Sequence, residues 1–262
     1  MTDNMPTATK WLLTSVGSDE QPAVKSVYMI VSGKTDVKGT AFALSTGLVI
    51  TNEHVVRGSD AGDLVLIAST GERLSATSVM VDPDVDLAVL QVNPPSSSGL
   101  RIQVASPAIG ERVHTWGYPL AYNGPSPLLA VGYLAGFSPK TVSRRTVKHY
   151  IVNGAFNPGN SGGPLFAAVD DAVVGVVVSK HAPITEWHLS ALEALKNQTS
   201  GFMYTATDTA GNTYQFSEGQ LVGDLLQYFR EMTQVVIGEA IAAEELIDFL
   251  DRSSLPWEAE SS

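Results

Sequence analysis

A serine set among glycines gives the clearest chemical signal, in the run FNPGNSGGPL at residues 156–165. Glycine weakens β structure and frees the backbone, so this density of glycine requires a reason. Acyl transfer supplies one, because the nucleophile must stand on a tight turn where backbone N–H groups converge on the oxyanion of the tetrahedral intermediate. The run predicts Ser161 as a nucleophile whose own N–H and that of Gly159 face the oxyanion. An ordinary turn rich in glycine and serine is the alternative interpretation.

Two other segments contain the residue types that activate a serine. His54 lies at the end of the apolar strand in GLVITNEHVV, and Asp86 opens the strand-like run DLAVLQV. The serine needs a base to take its proton, and the base needs a carboxylate that fixes its tautomer and stabilises the imidazolium. Asp86 is preferred to Asp82 and Asp84, which flank a proline turn, because it directly precedes the strand. Each residue alone is typical of a structural position, but the order His, Asp, Ser predicts a catalytic triad with Ser161.

Short strand-like runs recur along the first two thirds of the chain and must position these residues. They are rich in alternating or β-branched residues and are separated by turn clusters, a pattern typical of a barrel or a sandwich. Residues 93–101, NPPSSSGLR, have the composition of a linker and predict two lobes. The runs lie at residues 23–33, 41–51, 63–69, 74–82 and 86–92 before the linker, and at 111–119, 128–138, 146–155 and 171–180 after it.

The sequence pattern changes beyond residue 180. Residues 184–198 carry apolar side chains at mixed three- and four-residue spacing and predict an amphipathic helix. Residues 201–208 predict another strand. A capping-box pattern precedes a helix over 221–234, whose apolar face should pack on the β body. Residues 237–252 predict a second helical stretch.

The composition is that of a folded protein with an acidic surface. Of 262 residues, 44% are hydrophobic and 16% are charged, which excludes a disordered chain. The 16 Lys and Arg residues against 27 Asp and Glu residues give a formal net charge of -11. Such a surface repels phosphate backbones and anionic lipid, so neither nucleic acid nor a membrane is an expected partner. The basic group formed by Lys140, Arg144, Arg145 and Lys148 is too small to change this expectation.

Cysteine is absent from the sequence, which excludes disulfides and thiolate ligands. The histidines other than His54 show no metal-ligand spacing, so neither a metal nor another cofactor is expected. Residues 1–21 predict a polar leader with a short helix near residues 10–14. Its apolar stretch is shorter than the roughly 7–15 residues of a signal-peptide core, and no run reaches the roughly 20 apolar residues that span a bilayer. The protein is therefore expected to be cytoplasmic.

The motifs resemble those of trypsin- and chymotrypsin-like serine peptidases, and within them the short-loop bacterial HtrA-type group. TNEHVV, DLAVL and GNSGGPL carry the resemblance at specific separations, and GTAFAL (39–44) and VHTWGYP (113–119) add weaker support. The resemblance extends from about Ala23 to about Asp208, and no PDZ domain is evident after it.

This resemblance implies an all-β fold of two six-stranded antiparallel β-barrels, chymotrypsin-like, with C-terminal helices. The triad would lie in the cleft between the barrels, with His54 as general base, Asp86 as its orienting partner and Ser161 as nucleophile. The N–H groups of Gly159 and Ser161 would form the oxyanion hole, with Asn160 on the loop between them. The implied function is that of a serine endopeptidase that hydrolyses polypeptides through an acyl-enzyme.

The helical segments depart from the HtrA-type pattern and predict a further role. The helix over 184–198 would gate the site or dock a protein partner, and the C-terminal helices are a second candidate surface for such a partner. The predicted regions are a leader over 1–21, a double-barrel peptidase domain over 22–216 (first lobe about 22–100, second lobe about 101–216, helical insertion 184–198) and a C-terminal helical extension over 217–262.

The resemblance also implies a substrate pocket. In this fold, the residue six positions before the nucleophile lies at the base of the S1 pocket, and here it is Ala155 rather than a carboxylate that holds Arg or Lys. We expect small or medium apolar P1 residues, with Val178 and Lys180 on the pocket wall. Strand addition along residues 174–180 would bind the substrate backbone. Asn160 stands where trypsin-type zymogens need an aspartate, so proteolytic activation is not expected.

Two other functions remain open. GNSGG also fits the G-x-S-x-G elbow of an α/β-hydrolase esterase, but that fold needs a helix directly after the serine and the order Ser, Asp, His. Two glycines, a proline and another β run come after Ser161 instead, and Asp170 and His181 lie too close behind it. The second alternative is a catalytically silent pseudo-peptidase or scaffold that binds peptides in the cleft. An intact triad argues against that alternative, and fluorophosphonate labelling separates the two.

Overall fold

The structure, a computed structural model, describes residues 5–18, 21–35, 37–167, 172–178, 186–207, 211–232 and 237–260. The chain divides into two compact units. The first unit comprises Met1–Lys180 and Val236–Ser262, and the second comprises His181–Val235. Strands dominate the first unit, whereas helices flank a hairpin in the second.

The first unit begins with two short helices, α1 (Thr7–Ser15) and α2 (Gln21–Ser26). Thr9 of α1 is fully buried, and its hydroxyl donates to the carbonyl of Ser69 at 2.7 Å. The short helix predicted within the leader is confirmed. Residues 23–26, predicted to begin the first strand, belong instead to α2.

Six strands in the described part of the first unit close into an antiparallel barrel. Successive side chains of a strand point inward and outward in turn, and the inward set fills the barrel. Tyr28, Ile30, Leu66 and Leu90 belong to this core. The strands are β1 (Val27–Ser32), β2 (Lys38–Ala43), β3 (Val49–Thr51), β4 (Leu64–Ala68), β5 (Arg73–Asp82) and β6 (Leu87–Asn93). Their order around the barrel is β1-β2-β3-β6-β5-β4.

A second antiparallel barrel is closed by six further strands of the residues that the structure describes. Leu134, Tyr150, Val152 and Val174 belong to its core. The strands are β7 (Arg112–Gly117), β8 (Leu128–Val142), β9 (Arg145–Asn153), β10 (Pro164–Ala167), β11 (Val173–Val178) and β14 (Gly238–Ala242). Their order is β10-β11-β14-β9-β8-β7. The predicted fold of two six-stranded antiparallel barrels is confirmed.

The last strand of this barrel corrects one prediction. Residues 237–252 were expected to be helical, but β14 occupies Gly238–Ala242 and only α6 (Ala243–Arg252) is a helix. All five residues of β14 are buried, and they pair with β11 on one side and β9 on the other. These ladders satisfy the backbone of β14 and outweigh the local preference of its alanines for helix. The stretch 217–262, predicted as a helical extension, therefore includes a barrel strand.

The two barrels share a hydrophobic core between them. Phe42 and Leu87 of the first barrel belong to the same buried cluster as Trp116 and Ile241 of the second. Leu246 of α6 is also part of this cluster. The two barrels and α6 therefore hold the residues of the cleft in fixed relative positions.

The second unit contains two helices and a hairpin. Its elements are α4 (Glu186–Lys196), β12 (Met203–Thr207), β13 (Thr213–Ser217) and α5 (Glu218–Met232). The predicted capping box is present, because the N–H of Gln220 donates to the Ser217 hydroxyl and the Gln220 carbonyl oxygen accepts from the N–H of Ser217. None of the helices within the described ranges is long and apolar enough to cross a membrane.

Candidate active site

His54 stands on a one-turn helix, α3 (Glu53–Val56), directly after β3. Asn52 precedes this helix and is fully buried. The side-chain amide of Asn52 and the backbone N–H of Glu53 both donate to the carbonyl oxygen of Asp86, at 2.9 and 3.2 Å. The start of the histidine-bearing helix is therefore tied to the backbone of the predicted acidic partner.

Asp86 and His54 contact each other directly. The Nδ1 atom of His54 lies 2.7 Å from Oδ2 of Asp86 and 3.0 Å from Oδ1, and the backbone N–H of His54 donates to Oδ1 at 2.9 Å. An ionised carboxylate only accepts hydrogen bonds, so Nδ1 must carry the proton and Nε2 keeps its lone pair. The side chains of His54 and Asp86 are 35% and 28% exposed, so both are partly accessible to solvent.

The backbone of Asp86 has φ of 61°, which is uncommon outside glycine. Asp and Asn tolerate this left-handed region better than other residues with a β-carbon. This conformation accompanies a carboxylate turned back towards the backbone N–H and the imidazole of His54. Aspartate is therefore favoured at position 86 for two reasons: its carboxylate faces His54, and it tolerates the left-handed backbone.

A tight turn precedes Ser161, with Pro158 and Gly159 at its centre. The N–H of Asn160 donates to the carbonyl of Asn157 at 3.0 Å, and Gly159 has φ of 97°. Proline followed by a residue with positive φ is the pattern of a type II turn. A β-carbon on Gly159 would lie 2.4 Å from the carbonyl oxygen of Tyr118, so only glycine fits.

The orientation of this turn determines which way the Gly159 N–H points. The carbonyl of Pro158 accepts a 2.8 Å hydrogen bond from the N–H of Leu120. In a planar trans peptide, the carbonyl and the following N–H point in opposite directions. The N–H of Gly159 therefore points away from Leu120.

The backbone around Ser161 is joined to the first barrel. Ser161 is 5% exposed, and its carbonyl accepts from the N–H of Thr40 on β2 at 2.9 Å. The Thr40 hydroxyl donates to the carbonyl of Gly159 at 2.6 Å, and the Thr40 carbonyl accepts from the Thr51 hydroxyl at 2.8 Å. Thr51 ends β3, just before the helix of His54. Thr40 thus links the serine turn to the histidine segment.

Gly162 allows this close approach. A β-carbon there would lie 2.1 Å from the Thr51 hydroxyl oxygen and 2.2 Å from the Thr40 carbonyl oxygen. The threonines were missed by sequence reasoning, because their contacts cross between segments far apart in the chain. Only Thr51, which lies inside the motif TNEHVV, could have drawn attention from the sequence.

Asn160 is 2% exposed, and its Oδ1 has no hydrogen-bond partner among the described residues. A β-carbon on Gly117 would lie 2.6 Å from this oxygen, so Asn160 is packed tightly. A charged aspartate here would be costly to bury without a cationic partner. The neutral amide therefore suits a position with no ion pair.

The three residues predicted to line the substrate pocket do not all lie at one cavity in the part of the chain that the structure describes. Ala155 lines a cavity of about 240 Å³ together with Pro119, residues 128–131, Asn157 and Asn160. Val178 is partly buried against the core between the barrels. Lys180 lies outside the described residues. The pocket wall over Val178 and Lys180 stays a prediction.

Phe156, which follows Ala155 directly, is a core residue of the second barrel. It is buried, and a β-carbon on Gly238 would lie 2.5 Å from its ring. Its signal in the sequence, an aromatic residue before a glycine-rich turn, is typical of a plain core residue.

The segment after Ser161 excludes the esterase alternative. The chain passes through Gly162 and Gly163 into strand β10 at Pro164, and the helix that an α/β-hydrolase requires there is absent from this described segment. Asp170 and His181 lie outside the described residues. Within the described ranges, no group of three or more His, Asp or Glu side chains could hold a metal ion.

Comparison with known proteins identifies the family to which this chain belongs. The family model described as a trypsin-like peptidase domain matches residues 39–176, about half of the chain. The chain belongs to the trypsin-like peptidase family. Serine protease Rv3671c of Mycobacterium tuberculosis is 30% identical over 216 residues, which are 79% of this chain and 49% of that protein. A probable periplasmic serine endoprotease, DegP-like, of Chlamydia pneumoniae is 30% identical over 148 residues, 55% of this chain and 29% of that protein.

Solved structures of trypsin-like peptidases share the fold. The inactive form of Rv3671c superposes with a TM-score of 0.59 at 20% identity, over 90% of this chain and 92% of that one. The HtrA-type protease AlgW with a tripeptide gives a TM-score of 0.59 at 19% identity, over 90% and 64% of the two chains. The predicted resemblance to HtrA-type peptidases is confirmed. The chain spans about half or less of the length of the curated relatives it matches.

In this trypsin-like peptidase, Gly159→Ala is expected to lower turnover by about 10²–10³-fold, the usual cost of one oxyanion donor. The new methyl group would clash with the Tyr118 carbonyl and would disfavour the positive φ, so the turn would rotate its N–H out of place. Steady-state turnover of a quenched peptide measures the effect. Gly71→Ala is the matched control, since Gly71 has φ of 89° but open space around it. Equal turnover in both variants would contradict the role of Gly159.

Proposed function

We propose that the protein is a serine endopeptidase in which Ser161 is the nucleophile, His54 the general base and Asp86 its orienting carboxylate. The observation that carries this proposal is the contact between His54 and Asp86. Nδ1 lies 2.7 Å from the carboxylate, while a second hydrogen bond from the His54 backbone fixes that carboxylate in place. The imidazole is thereby held in the tautomer that can accept a proton at Nε2.

The reaction divides into acylation and deacylation. The Ser161 hydroxyl oxygen would attack the peptide carbonyl carbon as His54 Nε2 takes the hydroxyl proton, giving a tetrahedral oxyanion. Collapse of this intermediate breaks the C–N bond, and the imidazolium returns its proton to the leaving amine. Water, deprotonated in turn by His54, then attacks the ester and releases the carboxylic acid and the free Ser161 hydroxyl.

The oxyanion hole would be formed by the N–H groups of Gly159 and Ser161, with Asn160 between them. The hydrogen bond from Leu120 to the Pro158 carbonyl supports this assignment, because it turns the Gly159 N–H to the opposite side. Such donors act on charge that develops only in the transition state. Asn160 is neutral, so an N-terminal ammonium has no carboxylate to pair with there, and we propose that no proteolytic activation is needed.

The substrate preference would be for small or medium apolar P1 residues. Ala155 lines the cavity and brings no charge to the predicted pocket base. Val178 and Lys180 would line the wall, and residues 174–180 would pair with the substrate backbone. Digestion of an unbiased peptide library, with P1 identified by mass spectrometry, should give Ala, Val and similar residues. Cleavage restricted to sites after Arg or Lys would refute this preference.

Fluorophosphonate labelling tests the function without knowledge of the substrate. Only a serine activated by a base reacts, so we expect one labelled site, mapped by mass spectrometry to Ser161. The experiment also separates the peptidase from a silent peptide-binding scaffold, which would stay unlabelled. A folded protein that is not labelled at Ser161 would overturn the proposal.

Partners and location are further proposals. The substrate would be a polypeptide, and a protein partner would dock on helix 184–198 or on the C-terminal helices. The cytoplasmic location stays a prediction, while one relative is named as periplasmic. Fractionation of cells that express the full-length protein would decide the location.

A further inference from the structure

A fully buried carboxylate on the second barrel has no place in the mechanism above. Glu239 of β14 is 0% exposed. Its Oε1 lies 2.5 Å from the ammonium nitrogen of Lys140 on β8 and 2.8 Å from Nδ1 of His149 on β9. His149 is 4% exposed. A buried charge is costly unless it is paired, so these three side chains form one ionic cluster.

Strand register places the cluster on the barrel face that is turned towards the first barrel. Ile241 is opposite His149, and Val147 is opposite Lys140. Paired residues, and residues two apart on one strand, share a face of the sheet. Glu239 lies two residues from Ile241 and therefore shares this face. Val147 and Ile241 are members of the core between the barrels.

The hairpin of β8 and β9 also reaches the segment that carries Asp86. The hydroxyl of Ser143, at the tip of the hairpin, donates to Asp84 at 3.3 Å. Arg145, at the start of β9, lies 3.7 Å from the carboxylate of Asp82. These contacts hold the hairpin against the residues that lead directly into Asp86.

Packing places Lys140 near the segment of Asp86. Val147, opposite Lys140, belongs to the same buried cluster as Val85 and Leu87, which flank Asp86 in the sequence. Burial lowers the pKa of Lys140, and the negative charge of Asp86 opposes that decrease. Lys140 therefore pairs with Glu239 in its own barrel and is attracted by Asp86 across the interface.

We propose that Lys140 and Glu239 are positioning residues that act through Asp86 and set how readily the His54–Asp86 pair takes up a proton. This inference rests on the proposed function. Lys140 contributes positive charge, which makes protonation of the pair harder. Glu239 compensates that charge and holds the ammonium in place. Because the two contributions have opposite signs, removal of either one should have an effect opposite to that of the other.

His149 belongs to the same cluster through its contact with Glu239. Its protonation adds positive charge beside Glu239 and acts in the same direction as Lys140. Among the residues that the structure describes, several elements bring charged and titratable groups to the surroundings of the cluster. The two barrels contribute Lys140, Arg145, His149, Glu239, Asp82, Asp84, Asp86 and His54. Helix α6 contributes Glu245, Asp248 and Arg252, which pair with Arg145 or Asp82.

The test compares pH profiles of serine reactivity in Glu239→Gln and Lys140→Met. The rate of fluorophosphonate labelling at Ser161 falls on the acid side as the His54–Asp86 pair is protonated. Glu239→Gln leaves the ammonium uncompensated and should move this acid limb to lower pH. Lys140→Met leaves the carboxylate uncompensated and should move it to higher pH. Each shift should be about half a pH unit or more. The double variant should return the limb close to its original position.

Lys148→Met is the matched control. Lys148 alternates with Val147 and His149 and so lies on the opposite face, where it pairs with Glu244 at 3.0 Å. This substitution changes the net charge as Lys140→Met does, but it should leave the acid limb in place. A loss of melting temperature without a shift of the limb, or shifts of the same sign in both single variants, would overturn the inference. Absence of labelling at Ser161 in the unaltered protein would instead refute the proposed function.

Discussion

Ser161→Ala is expected to lower turnover of a peptide substrate by up to about a millionfold, the loss typical when the nucleophile of a triad is removed. Alanine has no oxygen that can form the acyl-enzyme, so acylation and deacylation are both lost. Turnover of a substrate found in the peptide library measures the effect, and fluorophosphonate labelling should vanish at the same time. The oxyanion donors would retain a small rate above that of water.

The fold should survive this substitution. The backbone carbonyl of Ser161 accepts from the N–H of Thr40 on the first barrel, and alanine keeps that bond. An unchanged melting temperature would therefore accompany the loss of activity. Ser78→Ala removes an exposed hydroxyl from β5 and should leave turnover unaltered. Full activity of the Ser161→Ala variant would show that Ser161 is not the nucleophile.

Asp86→Asn is expected to lower turnover by about 10⁴-fold at neutral pH. The backbone N–H of His54 donates to one carboxylate oxygen, and the amide oxygen of the variant can keep that bond. The amide NH₂ then faces Nδ1 and turns it into an acceptor, which moves the imidazole proton to Nε2. A histidine protonated at Nε2 cannot take the serine proton. The expected loss of turnover therefore comes from the wrong tautomer of His54, while the positions of the side chains stay the same.

Steady-state kinetics across pH would measure this effect. Asparagine tolerates the left-handed backbone of Asp86, so the variant should fold, whereas an alanine there would add strain at φ of 61°. Asp60→Asn is the charge-matched control, because Asp60 is exposed and pairs with Lys34 away from the cleft. Its turnover should match that of the unaltered protein. If Asp86→Asn instead kept the turnover of the unaltered protein, the carboxylate would not be needed to orient the base.

The parts of the site that could be predicted from the sequence are those encoded in short motifs. His54 follows β3 and Asp86 precedes β6, and these two strands are neighbours, with Ile50 opposite Val89. The two side chains contact each other at 2.7 Å in the structure. The role of Thr40 could not be predicted, because its contacts with the serine turn join residues more than a hundred positions apart.

Strand β14 shows why part of the fold escaped prediction. Its sequence, GEAIA, has alanines and a glutamate, which are common in helices and depleted in strands. Pairing with β11 and β9 decides its conformation, and neither partner is near it in the sequence. Glu239 was missed for the same reason, since a carboxylate in an expected surface helix gives no sign that it will be buried.

The basic residues of the β8–β9 hairpin, identified in the sequence only as a small local group, pair with carboxylates in the structure. Arg145 lies 2.8 Å from Glu245 and 2.6 Å from Asp248, both on α6. Lys140 is paired with the buried Glu239. Charge alone could not distinguish these residues from solvated lysines and arginines, because their partners come from the far end of the chain.

The place of β14 in the chain has a consequence for biosynthesis. A ribosome delivers all six strands of the first barrel by Asn93, but the second barrel still lacks its sixth strand when Val178 has emerged. Until Gly238–Ala242 is added, the facing edges of β9 and β11 have no strand between them, and open edges invite pairing with other chains. The ribosome must therefore deliver the whole second unit before the second barrel can close.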